Sequence, residues 1–158
     1  MSLRLRAADL ASIHAVLSAA YPEEGCGVMI GHDRDGVHEV VRVERFENQR
    51  PDSRHNRYLI SPEQFLAADR TARSQALDVL GFFHSHPDHP AEPSAFDREH
   101  AWPWYSYLIV SVEKGEVRAQ RSFRLLEDRT RFEEEPIERV EELHAAPPQA
   151  GARPGGAS

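Results

Sequence analysis

The sequence predicts an α/β fold, a sandwich of helices against a largely mixed or antiparallel sheet. Three observations carry that prediction. Apolar residues recur at helical spacing over residues 7 to 21. Two β-prone runs flank a tight turn between 25 and 46. A complete helix-start signal, Ser61-Pro62-Glu63-Gln64, then stands between this hairpin and a third strand-like run.

The first helix rests on Leu10, Ile13, Val16, Leu17, Ala20 and Tyr21, and Pro22 stops it. GCGVMIGH reads as a buried strand ending near Asp33, DRDG as a turn, and HEVVRVERF as the returning strand. Residues 47 to 56, ENQRPDSRHN, are polar and turn-rich and read as a loop. The second helix runs from its serine cap to about Gln75. LDVLGFFHSH is a buried strand and PDHPAEP a loop. Ser94-Ala-Phe-Asp97 starts a short third helix that ends before Pro103. YSYLIVSV is a strand, Lys114-Gly115 turns it into VRAQRSFRLL, and RFEEEPIERV adds one last strand. From 143 the chain turns to alanine, proline and glycine, which build no core. The expected division is a domain over 1–142 and a disordered tail over 143–158.

The bulk properties narrow the function. A chain of 158 residues suits one core. The formal charge of −7 argues against binding led by nucleic-acid phosphates. The single cysteine, Cys26, allows no disulfide within the chain, which fits a reducing compartment. No apolar run approaches the roughly 18 residues of a membrane span. MSLRLRAADL lacks the apolar core of a secretory signal. The expected location is the cytoplasm, without membrane or nucleic-acid partners. The oligomeric state, a dimer included, stays open.

The chemistry concentrates in HSHPDHPAEPSAFDREH, residues 84 to 100. Residues two apart on a strand project to the same face, so His84 and His86 point together while Ser85 faces away. Zinc takes imidazole nitrogen and carboxylate oxygen at about 2.0–2.2 Å, and catalytic sites keep one position for water. Asp97, in the first turn of the third helix, is the candidate third ligand. Asp88, His89, Glu92 and Glu99 compete with it locally. A metal held this way lowers the pKa of a coordinated water and polarises a scissile carbonyl. Alone, H-x-H is weak and S-x-x-D is a capping box. The combination H-x-H-x7-S-x2-D is what gives the signal specificity. His89 and His100 read as solvated surface residues.

Hydrolysis also needs a general base. Glu23 and Glu24, in YPEEGCG, lie where the first helix gives way to a strand, and spacing alone does not choose between them. Cys26 reads as a small apolar residue of a buried strand rather than a nucleophile, with contact to a metal as the minor alternative. Trp102 and Trp104 fit either a substrate groove or core or interface packing.

Together, Pro22-Glu23-Glu24-Gly25-Cys26-Gly27, His84-Ser85-His86, Ser94 and Asp97 resemble the JAMM motif of the JAB1/MPN/Mov34 metalloproteases, of the compact prokaryotic type. WYSYLIVSV is similar to the strand that follows the motif in bacterial members. The resemblance covers about residues 4 to 140, and no metal-site position departs from the motif. It implies an MPN-like (cytidine-deaminase-like) mixed sheet flanked by helices. It implies Zn2+ on His84, His86 and Asp97, Glu24 as general acid/base, and Ser94 as a support for the site and the tetrahedral oxyanion.

The resemblance further implies hydrolysis of the peptide or isopeptide bond after the C-terminal Gly-Gly of a ubiquitin-like protein. In a chain this short the expected partner is a small sulfur carrier. Removal of a modifier from lysine, in the manner of a desampylase or deubiquitinase, is the close alternative. A non-catalytic MPN-type scaffold is the alternative of another class, and metal storage is a weaker third.

Overall fold

The computed structural model describes residues 1–47 and 60–143. The elements in chain order are β1 (Ser2–Arg6), α1 (Ala7–Ala20), β2 (Cys26–Arg34), β3 (Val37–Phe46), α2 (Pro62–Ser74), β4 (Asp78–Pro87), α3 (Ala95–His100), β5 (Ser106–Glu113), β6 (Glu116–Leu125), β7 (Phe132–Glu135) and β8 (Ile137–Val140). The strands form one sheet in the order β7-β6-β5-β4-β2-β3-β1-β8. β1 runs parallel to β3 and to β8, and β4 parallel to β5; the other pairs are antiparallel. The α/β class and the mixed sheet flanked by helices are as the sequence predicts. The 47–56 loop beyond Glu47, and the tail beyond Leu143, lie outside the described residues.

Two strand assignments differ from the sequence reading. SLRLR forms an edge-side strand where no element was expected. Leu3 and Leu5 are fully buried, while Arg4 pairs with Glu39 at 2.8 Å and Glu138 at 2.9 Å. Only five residues show this alternation, too few to stand out in sequence. RFEEEPIERV makes two strands, not one. Pro136 separates them, and they pair with opposite ends of the sheet, β7 with β6 and β8 with β1. One residue joins the two outermost strands, so the sheet must roll until its ends meet. Proline suits that junction because it has no N–H to place in a ladder, and its carbonyl accepts from Leu3 N at 3.0 Å.

α1 packs into the concave face of this roll. Its Leu10, Ile13 and Leu17 lie among Leu3, Leu5, Met29, Val40, Leu80, Phe83, Leu108 and Val110. Each such buried aliphatic side chain contributes about 1.5–3 kcal/mol. α2 lies on the other face and sets Ala68 and Ala72 on Val28, Ile30, Val79, Phe82 and Tyr107. Its start is the capping box expected from Ser61 and Gln64, with Gln64 N donating to Ser61 Oγ at 3.1 Å and Ser61 N to Gln64 Oε1 at 3.0 Å. Gly81 lets β4 and β5 approach: a Cβ there would sit 2.0 Å from the Ser106 carbonyl oxygen. No described helix is long and apolar enough to cross a membrane.

A buried polar network lies where the roll closes. Arg124 Nε donates to Glu135 Oε1 at 2.8 Å, and its Nη2 donates to the carbonyls of Ser2 at 3.1 Å and Gly36 at 2.8 Å. Glu135 Oε2 accepts from Ser106 Oγ at 2.7 Å and Ser122 Oγ at 2.8 Å. The one hydroxyl proton of Ser106 is used on Glu135, so His38 Nδ1, 2.8 Å from Ser106 Oγ, carries the hydrogen of that contact. β1, β3, β5, β6 and β7 are thereby tied at one end of the concave face.

Candidate metal centre

The centre is built at the C-terminal end of β4. β4 pairs with β2 and β5, placing His84 opposite Cys26 and Ile109, and His86 opposite Ser111. Strand alternation turns both imidazoles towards the α2 side of the sheet, as expected from H-x-H. Pro87 ends the strand, and the chain turns at Asp88, which has a left-handed φ of 57° and whose N–H donates to the Val112 carbonyl at 2.8 Å.

The loop returns so that α3 begins against the strand end. Ser94 caps it: Asp97 N donates to Ser94 Oγ at 3.0 Å, and Ser94 N donates to Asp97 Oδ2 at 2.8 Å. The capping box therefore also orients the Asp97 carboxylate. Asp97 Oδ1 is 3.3 Å from His84 Nε2, Asp97 Oδ2 is 3.2 Å from His86 Nε2, and the two Nε2 atoms are 3.2 Å apart. One ligand atom from each of the three residues lies within 4.8 Å of the others, and all three residues are buried. His86 Nδ1 faces the Pro90 carbonyl at 2.9 Å, which leaves Nε2 as the lone-pair donor towards the centre.

The electrostatics suit a cation. Burial pulls the His84 pKa below its ordinary value, against the pull of Asp97. Burial also acts to lower His86, but its contact with Asp97, the Pro90 carbonyl and the charges of Asp97 and Glu24 carry it above the usual value. Burial acts to raise Asp97, yet His84, His86 and the Ser94 N–H hold it far below the usual carboxylate range. A permanent carboxylate and two imidazole Nε2 atoms converging in a buried pocket form the N2O donor set that zinc accepts.

A cleft of about 340 Å³ opens over the centre, lined by Glu24, His86 and Asp97 with Ser94, Glu92 and Phe96 among its walls. Of the two candidate bases, buried Glu24 lines it and half-buried Glu23 does not. Among the described residues, the competing ligands lie outside the converging group. Asp88 accepts from Tyr21 and Lys114, Glu92 pairs with Arg121 at 3.4 Å, and Glu99 is exposed. His89 is exposed on the cleft wall, and His100 stacks on Phe96 with ring centroids 4.1 Å apart. Cys26 Sγ points to the Phe46 carbonyl at 4.0 Å, and burial, then the Glu24 charge, pushes its thiol up to about 12. It packs within the sheet, outside the ligand group. Neither tryptophan lines the cleft. Trp104 packs against His38 with centroids 4.5 Å apart, and Trp102 is 65% exposed beneath Arg129.

The chain as a whole is similar to known proteins. Residues 6–125 match the family described as prokaryotic homologs of the JAB domain. The chain is 39% identical over 116 residues to a desampylase of Haloferax volcanii, a match covering 72% of this chain and 81% of that one. It is 35% identical over 92 residues to a probable TtuB-protein conjugate cleaving protease of Thermus thermophilus, covering 58% of each. A solved protein of Desulfitobacterium hafniense superposes with a TM-score of 0.78 at 32% identity, covering 89% of this chain and 94% of that chain.

Proposed function

Since the chain belongs to the prokaryotic JAB-domain (JAMM) family, we propose that it is a zinc metallopeptidase that cuts after the C-terminal Gly-Gly of a ubiquitin-like protein. The leading partner is a small sulfur-carrier protein. The observation that carries the reading is the convergence of His84, His86 and Asp97 to within 4.8 Å at the base of a cleft that Glu24 and Ser94 share.

His84 Nε2, His86 Nε2 and an Asp97 carboxylate oxygen would hold the ion. When bound, zinc supplies Lewis acidity for activating water and polarising the scissile carbonyl. The remaining work belongs to the chain. Glu24, buried on the cleft wall, takes a proton onto a carboxylate oxygen as water attacks and hands it to the departing nitrogen. Ser94 Oγ already accepts from the Asp97 amide, so its hydroxyl hydrogen is left to donate into the cleft towards a developing oxyanion. The Asp97 carboxylate keeps the ligand site anionic.

A second reading keeps this chemistry and changes the bond: release of a ubiquitin-like modifier from a lysine side chain. What favours it is the names of the two relatives, a desampylase and a TtuB-protein conjugate cleaving protease. A scaffold role is disfavoured by the complete ligand set and the buried acid beside it.

Intact mass spectrometry tests the proposal. The substrates are a ubiquitin-like sulfur carrier extended by a few residues after Gly-Gly, and the same carrier joined to lysine. Wild type is expected to yield a product ending at Gly-Gly. Glu24→Gln is expected to yield none while retaining its metal. Cleavage by Glu24→Gln near the wild-type rate would remove the assignment of Glu24.

A further inference from the structure

Glu24 lies in a short connection, not in a regular element. It sits between the end of α1 at Ala20 and the start of β2 at Cys26. A general base must be held to a fraction of an ångström, because a misplacement of about 1 Å can cost on the order of 10²-fold in rate. Two ties fasten this connection to the polypeptide that carries the ligand histidines.

The first is at Gly25. Its N–H donates to Ser85 Oγ at 2.9 Å in a buried contact, and its carbonyl accepts from Ser85 N at 3.0 Å. Ser85 is 1% exposed, between the two histidines, and faces the α1 side of the sheet. Gly25 fits closely there: a Cβ would lie 2.9 Å from Leu17 Cδ2 and 3.0 Å from Ala20 Cβ. The second tie is at Tyr21, whose hydroxyl donates to Asp88 Oδ2 at 2.7 Å. Asp88 is itself fixed, with its Oδ1 accepting from Lys114 N at 3.1 Å and its own N–H bound to Val112. The segment 21–25 is thus held at both ends to residues that directly neighbour or flank His84 and His86.

We propose that Ser85 and the Tyr21–Asp88 pair are positioning residues that set Glu24 against the metal centre. This rests on the catalytic reading of Glu24. The serine of H-S-H then has a task distinct from its neighbours: the histidines face the cleft from one side of β4, and Ser85 anchors the base from the other.

The test uses the full chain with zinc bound, in wild type, Ser85→Ala, Tyr21→Phe and each combined with Glu24→Gln. Hydrogen exchange by NMR follows the Gly25 amide against core amides such as Leu80 and Val110. Kinetics on the carrier substrate separate kcat from KM, and metal analysis reports zinc per chain. Ser85→Ala is expected to speed Gly25 exchange at least about tenfold with core amides unchanged, since the amide loses its buried acceptor. It is expected to lower kcat about ten- to hundredfold with KM and zinc retained. Tyr21→Phe, at a more exposed bond, is expected to lower kcat roughly threefold. Combined with Glu24→Gln, which removes turnover, Ser85→Ala should give the same gain in Gly25 exchange with zinc retained, because the tie does not depend on the base. Unchanged Gly25 exchange, a kcat within about twofold of wild type, or zinc lost in step with rate would overturn the proposal. The Gly25 measurement requires no substrate. A wild type that binds zinc but cuts nothing would refute the catalytic reading, and exchange would still decide whether the tie exists.

Discussion

Replacing Arg124 with methionine tests how the rolled sheet is held shut. Arg124 is 4% exposed, as is Glu135, so the guanidinium and carboxylate meet largely out of water. Methionine fills similar length without charge. It leaves the Glu135 carboxylate with only the Ser106 and Ser122 hydroxyls, and removes the donor shared by the Ser2 and Gly36 carbonyls. Breaking a buried pair by deleting one partner costs about 3–5 kcal/mol, because the remaining charge stays buried. With a urea dependence of about 1–3 kcal/mol per molar, the unfolding midpoint should fall by roughly 2 M. Adding Glu135→Gln neutralises the stranded charge but keeps an acceptor for both hydroxyls, so the double variant should recover a large part of the loss. Urea unfolding followed by fluorescence and circular dichroism measures both proteins. A loss below about 1 kcal/mol for Arg124→Met would show that the closure does not depend on this pair.

Two further predictions concern protons and metal. Burial first, then Arg124 and the N-terminal amine, lowers His38 to about 3. Its folded pKa lies below the unfolded value, so the unfolded chain binds the extra proton first, and stability falls as pH drops from about 6.5 towards 3, by at most about 1.4 kcal/mol per pH unit. Urea midpoints at several pH values should fall more steeply in wild type than in His38→Asn, and parallel slopes would refute the assignment. Separately, His86→Ala and Asp97→Ala should each purify with far less than one zinc per chain by elemental analysis, since two remaining ligands hold the ion poorly; unchanged stoichiometry would mean that other residues bind it.

Much of the centre was legible because strand alternation and helix capping are local rules. H-x-H at a strand end fixes a shared direction, and S-x-x-D names a cap whose acid also faces back along the chain. Glu24 was harder. Only its position in the fold separates it from Glu23, because the connection between α1 and β2 follows no regular period. The Ser85–Gly25 and Tyr21–Asp88 ties were not legible at all, for they join residues 60 and 67 positions apart, the first through two hydrogen bonds and the second through one. The same holds for His38, Ser106, Ser122, Arg124 and Glu135. Each reads as an ordinary polar position on its own strand; pairing of β5, β6 and β7 gathers Ser106, Ser122, Arg124 and Glu135, and the rolling of the sheet brings His38 to them. β1 and the split of β7 from β8 were missed because short strands at sheet ends take their identity from their partners.

If one metal on His84, His86 and Asp97 makes this cleft a peptidase, cleavage must follow the occupancy of that metal. The most direct measurement is a zinc titration of chelator-stripped protein, following cleavage of the extended carrier by intact mass. The stripped protein should cut nothing, and the rate should rise to a break at about one zinc per chain. Full cleavage by protein shown to be metal-free would contradict this reading.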